Sequence, residues 1–339
     1  MRLTVVLIVV FGMVGFTLCH ADDINGIVAF YVVDFPQDDP SQPCYDPDIP
    51  DLQYADNFYA NISYTLQNED PNYFHKAHYW DDYMHAAVML ESWRDWWYSG
   101  GSHTSGPDIN DDEGTVTIIA SHGNIEQGAG DLWHFRFRNP LGDRTVDNIT
   151  NTSTNPRKCK NWFRNPIYST DWPLIRMGSS SSSSSIGDGD TRWVIFYACH
   201  SLQLAVDPAD DLDYTLQDVW GHDSLNGGYR MLIGGSSTMR PTAYAGADDF
   251  VDLQYTNDLR HKAAWFIAMD GYFYANAEDQ LWGDEGRCVV YAKGGSLATA
   301  QLNREYDSFW RFGDSAVPAT SDQPNGWYSS WSTQYCDND

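Results

Sequence analysis

Positive charge is scarce in this chain: 20 lysines and arginines stand against 47 aspartates and glutamates, a formal net charge of −27 over 339 residues. A surface that acidic repels phosphate backbones and anionic lipid, which argues against nucleic acid and membrane surfaces as partners and suits solubility outside the cell. Long apolar runs are scarcer still. The one present, residues 3–18, follows Arg2 and leads into Cys19-His20-Ala21, the layout of a secretory signal peptide cut after Ala21. No later stretch is apolar enough to span a bilayer. Residues 22–339 are therefore expected to be secreted, as one large domain near the upper size of a single core. Internal repeats are absent, and so is any G-x-S-x-G elbow, which argues against a serine hydrolase.

Cysteine is also sparse, with six in all. Loss of the leader removes Cys19 and leaves Cys44, Cys159, Cys199, Cys288 and Cys336, an odd number. In an oxidising compartment four would pair and the fifth would keep its thiol. Position singles out Cys199 as the fifth. It ends Trp193-Val194-Ile195-Phe196-Tyr197-Ala198, an apolar run whose length and flanks read as a fully buried strand, of the kind found in parallel sheets covered on both faces. Open α/β sheets place ligands and catalytic groups at the carboxyl ends of such strands. A second run, Thr115-Val116-Thr117-Ile118-Ile119-Ala120, ends in Ser121-His122-Gly123.

If those two strands are neighbours, a thiol and an imidazole meet across one crevice. A thiol is a poor nucleophile until it loses its proton, and a nearby imidazole lowers its pKa and later protonates the leaving group. Gly123 has no side chain to shield its N–H, which together with the N–H of Cys199 would make an oxyanion hole.

Apolar residues ending in His122-Gly123, followed by apolar residues ending in Ala198-Cys199, resemble the signature of clan CD cysteine peptidases, the caspases, legumains and gingipains. The resemblance implies a caspase-like, three-layer α/β sandwich with a mostly parallel sheet. It implies His122 as general base and acid, Cys199 as nucleophile and Gly123 as oxyanion donor, acting on a peptide or protein substrate without a cofactor. Met231-Leu232-Ile233-Gly234-Gly235-Ser236-Ser237-Thr238 is similar to the caspase strand that ends in a Ser-Ser-Thr turn beside the substrate pocket, so Ser236, Ser237 and Thr238 are expected to line it. Tyr197 stands where family members carry the Gln or Glu that lines the pocket for the P1 side chain. The spacing from His122 to Cys199 exceeds that of the best-known members and implies an insertion, placed at about residues 140–190.

The remaining expectations come from the residues alone. Loops leaving the carboxyl edge carry Cys44 and Cys159, whereas Cys288 enters its strand at the opposite edge, so the expected pairs are Cys44–Cys159 and Cys288–Cys336. Asn61, Asn148 and Asn151 begin glycosylation sequons. Within the insertion the sequons, the basic Arg157-Lys158-Lys160 patch and the serine run at 179–185 mark surface loop, while residues 132–138 read as a short strand or helix.

Residues 73–98 read as a helix with Tyr83, Ala86, Leu90, Trp93 and Trp97 as its apolar stripe. His75, His78, Asp82 and His85 then share another face at zinc-like spacing, and a hydrated polar face is the preferred reading of it. Residues 108–114 have calcium-like oxygens without the EF-hand glycine and read as a solvated turn. No metal is expected. A helix begins at 201–205, strands cover 27–33, 229–233 and 288–291, and a long helix over 248–274 turns Leu259, Phe266 and Ile267 inward, with Asp248 or Asp249 as its cap. The Trp-, Gly- and Ser-rich tail reads as irregular. The alternative to a peptidase is a secreted binding or structural protein on the same scaffold without turnover, recognising carbohydrate, for example, through its tryptophans.

Overall fold

The computed structural model describes residues 26–34, 50–80, 115–126, 132–136, 160–163, 176–177, 185–186, 192–202, 230–276, 285–309 and 328–336. In chain order these form β1 (Gly26–Tyr31), α1 (Ala55–Glu69), β2 (Phe74–Trp80), β3 (Val116–Ala120), β4 (Gly123–Glu126), β5 (Leu132–Arg136) and β6 (Lys160–Phe163). Then come β7 (Arg176–Met177), β8 (Ser185–Ile186), β9 (Trp193–Tyr197), β10 (Met231–Gly235), β11 (Thr238–Met239) and a 3-10 turn at Pro241–Ala245. The chain continues through α2 (Gly246–Thr256), α3 (His261–Ala268), β12 (Phe273–Tyr274), β13 (Arg287–Gly294), α4 (Leu297–Tyr306) and β14 (Tyr328–Tyr335).

Strands β1, β3, β9 and β10 are almost unbroken runs of aliphatic and aromatic residues and glycine, with every residue buried, as in strands covered on both faces. They assemble into a seven-stranded sheet of order β14-β13-β10-β9-β3-β1-β2. The five strands from β10 to β2 run parallel, and β13 and β14 complete the other end antiparallel. On one face Ile27, Ile118, Ile195, Ile233 and Val290 form a core with Phe58 and Ile62 of α1, Phe250 of α2 and Trp265 of α3. The alternate residues Val28, Phe30, Ile119, Val194, Phe196 and Leu232 are equally buried, so the sheet is the middle layer of the expected α/β sandwich. No helix among the described residues is long and apolar enough to cross a membrane.

Several local expectations give way. Phe74–Trp80 is a strand paired with β1, not the start of a helix. His75 and His78 lie on this strand, in register with Ile27 and Ala29 across a β-bulge, so they belong to no helical face. Residues 81–98, with Asp82 and His85, lie outside the described residues.

The expected helix over 248–274 is two helices, broken where Asp258 adopts φ 54°, a left-handed conformation that Asp tolerates better than most residues. The break resets the helical register. Phe266 is buried and Leu259 packs on the core, but Ile267 is 55% exposed. Neither Asp248 nor Asp249 is the cap: they sit in the first turn of α2, after Ala245. From Phe273 the chain is strand.

The tail is regular where it is described. Ser296 caps α4 by accepting from Thr299 N at 3.1 Å, and β14 forms the sheet edge. Inside the region read as surface loop, β6 pairs with β5, which pairs with β4, and β7 pairs with β8. The leader, Cys44, Cys159, Asn148, Asn151, residues 108–114 and the helix expected beyond residue 202 lie outside the described residues.

Candidate active site

β3 and β9 lie side by side in parallel, with Ala120 opposite Tyr197 and Ser121 N donating to Tyr197 O at 3.1 Å. Both chains therefore leave the sheet at the same edge, and the His122-Gly123 and Ala198-Cys199 corners meet. The contact at Gly123 is intimate: a Cβ built there would sit 2.0 Å from Cys199 O and 3.4 Å from Ala198 Cβ. Any side chain at residue 123 would push the two corners apart.

Cys199 keeps its thiol and is partly exposed. The turn that carries it passes through His200 at φ 52°, a conformation uncommon for a residue other than glycine. Neighbouring β10 and the turn after it hold that geometry. His200 N donates to Ser237 O at 3.0 Å, Leu202 N to Gly235 O at 2.9 Å, and Gly235 N to Ser201 Oγ at 3.2 Å. The 236–239 turn thus borders Cys199, and Met239 N donates to Cys199 Sγ at 3.4 Å. A donor aimed at sulfur favours the thiolate over the thiol.

His122 is partly exposed, and its Nε2 lies 2.7 Å from Pro50 O. A carbonyl only accepts, so Nε2 carries the proton, and in the neutral ring the lone pair resides on Nδ1. Pro50 and Met239 escaped the sequence reasoning. Both act through backbone atoms, and Pro50 is 72 residues away from His122, so neither leaves a signal in residue type or spacing.

Tyr197 is wholly buried beneath the site, its ring 4.7 Å from that of Phe58 and its hydroxyl donating to Pro241 O at 2.6 Å. Burial first, and next the negative charge of Cys199, push its phenol well above the usual tyrosine range. Tyr197 is therefore floor, with its hydroxyl already committed. Ser236 and Ser237 are buried as well, and Thr238 is the partly exposed member of the turn, its Oγ1 accepting from Asn276 Nδ2 at 2.8 Å. Beyond it Arg240 lies 5.0 Å from the centre of the Tyr274 ring.

Cys288 and Cys336 form the expected disulfide, their Cα atoms 5.7 Å apart. The pair lies at the other edge of the sheet from the one expected. β13 runs antiparallel to β10, so Cys288 lies opposite Gly235, at the carboxyl edge of the parallel strands and not at the far one. Asn61 lies in α1, where its Nδ2, the atom a glycan would take, donates to Tyr244 O at 2.9 Å, and Ser63 of the same sequon is buried. A search of family models finds no match, and no curated protein matches the chain.

Proposed function

We propose that the protein is a secreted cysteine peptidase, or a transpeptidase of the same chemistry, in which His122 and Cys199 perform acyl transfer at peptide bonds. The close approach of Gly123 to Cys199 carries this reading, because it brings an imidazole-bearing corner against a thiol-bearing one at a sheet edge where both residues are partly exposed. His122 Nδ1 takes the thiol proton while Pro50 O holds Nε2–H and thereby the ring orientation. The thiolate, favoured by Met239 N–H, forms a C–S bond to the scissile carbonyl carbon. Charge developing on the carbonyl oxygen goes to the N–H groups of Gly123 and Cys199. Collapse breaks the C–N bond, and the imidazolium returns its proton to the leaving amine. Water then releases the acyl group in a peptidase, or a second amine takes it in a transpeptidase. Thr238 is the member of the 236–238 turn placed to touch substrate, while Tyr197, Ser236 and Ser237 support the pocket from below. The buried Cys288–Cys336 disulfide favours an oxidising compartment.

The test is a peptide-library cleavage profile of the wild type beside Cys199→Ala and His122→Ala. Cys199→Ala should abolish cleavage, and His122→Ala should lower it by about 10²–10⁴. His122→Ala should also slow alkylation of Cys199 below pH 8. Equal alkylation of wild type and His122→Ala, with no peptide cleaved by either, would favour a secreted binding protein on the same scaffold.

A further inference from the structure

Met239 N–H reaches Cys199 from β11, a strand of two residues, too short to hold itself in place. Its brace is β12. Thr238 pairs with Tyr274 and Met239 with Phe273, Arg240 N donates to Tyr272 O at 2.8 Å, and Asn276 Nδ2 donates to Thr238 Oγ1. The turn that leads into β12 is itself anchored on the disulfide. Gly271, at φ 80°, donates its N–H to Cys336 O at 2.6 Å, and Cys288 Sγ lies 3.8 Å from Met269 O. Cys336 N in turn donates to Gly286 O at 3.0 Å, and Ser236 N to Arg287 O at 2.9 Å.

Keeping β14 on the sheet does not require the cross-link, because β14 already pairs with β13 along the full ladder from Arg287↔Tyr335 to Gly294↔Tyr328. Cys288 lies inside that ladder opposite Gln334, and Cys336 lies one residue beyond it, where the chain turns from the sheet edge toward the 269–272 turn. What it fixes specifically is the position of Cys336 O against Gly271.

We propose that the Cys288–Cys336 disulfide is a positioning element for Cys199: by seating Gly271 it holds the β11–β12 ribbon whose Met239 N–H faces the sulfur, and so sets how readily the thiol ionises. The inference rests on the reading of Cys199 as a nucleophile, and its primary measurement does not require turnover.

The full-length protein is compared with Cys288→Ala/Cys336→Ala by the rate of iodoacetamide alkylation at Cys199, mapped by peptide mass, across pH 5 to 9 and well below the melting temperature. Loosening a hydrogen bond to a charged sulfur should raise the midpoint of the profile and slow alkylation at pH 6 roughly tenfold. A purely structural disulfide would lower the melting temperature and leave that midpoint where it is, which overturns the inference. Asn276→Ala keeps the disulfide and loosens the same ribbon from its other side, so an unmoved midpoint there shows that the ribbon does not set the ionisation of Cys199 and overturns the inference even if the double variant does not fold. A raised midpoint supports the coupling and an unmoved one refutes it. Peptide cleavage is scored separately. A shifted midpoint in a protein that cleaves nothing keeps this inference and defeats the peptidase reading, whereas an unshifted midpoint in an active peptidase does the reverse.

Discussion

Gly123→Ala tests the meeting of the two strand ends by the addition of a single methyl group. The new Cβ would lie 2.0 Å from Cys199 O, whereas real Cβ contacts essentially never fall below 3.0 Å. The listener on the other side is backbone, with no flexible end to swing away, so the His122 corner must retreat from the Cys199 corner by about 1 Å, a misplacement that costs on the order of 10² in rate when it separates catalytic groups. The accompanying strain is about 1–3 kcal/mol, typical of overpacking in a filled site. Two measurements separate these effects: peptide cleavage with Cys199 alkylation at pH 6 reports the geometry, and urea unfolding reports the strain. The expected outcome is a folded protein, modestly less stable, with cleavage down about a hundredfold and alkylation slowed. Gly295→Ala is the control, since a Cβ there meets nothing within 4 Å. Wild-type cleavage, alkylation and stability in Gly123→Ala would refute the argument, because the corners could not then be in contact.

Four further outcomes follow from the same geometry. A Cβ on Gly235 would lie 1.9 Å from the Phe273 ring, so Gly235→Ala should displace Phe273 and lower the urea midpoint by an equivalent of about 1–3 kcal/mol; no change would remove Phe273 from that position. His261 is wholly buried against Trp193, Phe250 and Phe309, and burial, then the charges of Arg230 and Arg260, hold its imidazole well below the usual value. The unfolded chain gains a proton near pH 6.5 that the fold cannot accept, so stability is complete above that pH and falls below it by up to about 1.4 kcal/mol per pH unit. Asp307, whose carboxyl is pushed up by burial, acts with the opposite sign, so the readout is the difference between wild type and His261→Phe, and equal slopes from pH 6.5 to 4.5 would contradict the assignment. Tyr197→Phe removes a buried hydroxyl bonded to Pro241 O and should cost about 1 kcal/mol in urea unfolding while leaving the alkylation midpoint of Cys199 in place; a large midpoint shift would make Tyr197 part of the chemistry. Ile267→Gln, at an exposed position of α3, should change stability by no more than about 0.5 kcal/mol, whereas a continuous helix with Ile267 inward predicts a large loss.

The parts of the fold that were legible are those where one residue-level constraint decides the outcome. A run such as Val194-Ile195-Phe196 excludes any exposed face, and burial on both sides leaves the interior of a covered sheet as its only place. Shorter or mixed segments admit two answers. Phe74–Trp80 mixes aromatics with His and Lys, and its strand character comes from pairing with β1, which no local window contains. α1 did carry a signal, with Phe58, Ile62 and Leu66 at four-residue spacing, all of them buried. The break between α2 and α3 was also written in Asn257-Asp258, where the chain takes a left-handed turn that an apolar count passes over.

At the site, legibility divides along the line between side chain and backbone. His122 and Cys199 could be found because imidazole and thiol are rare groups and each stands at the end of a buried strand. Pro50 O and Met239 N could not, since every residue offers those atoms and only the folded chain selects which of them face the imidazole and the sulfur. The disulfide falls between the two cases. Parity of the cysteines indicated that one thiol would be left over, and the pair Cys288–Cys336 was expected, yet the edge assigned to Cys288 was reversed because the direction of β13 is not encoded in its own residues. That reversal has a physical consequence. With β13 antiparallel, Cys288 sits opposite Gly235 at the edge where Cys199 emerges, and a cross-link that a wholly parallel sheet would have kept remote lies within two backbone contacts of the ribbon facing the thiol.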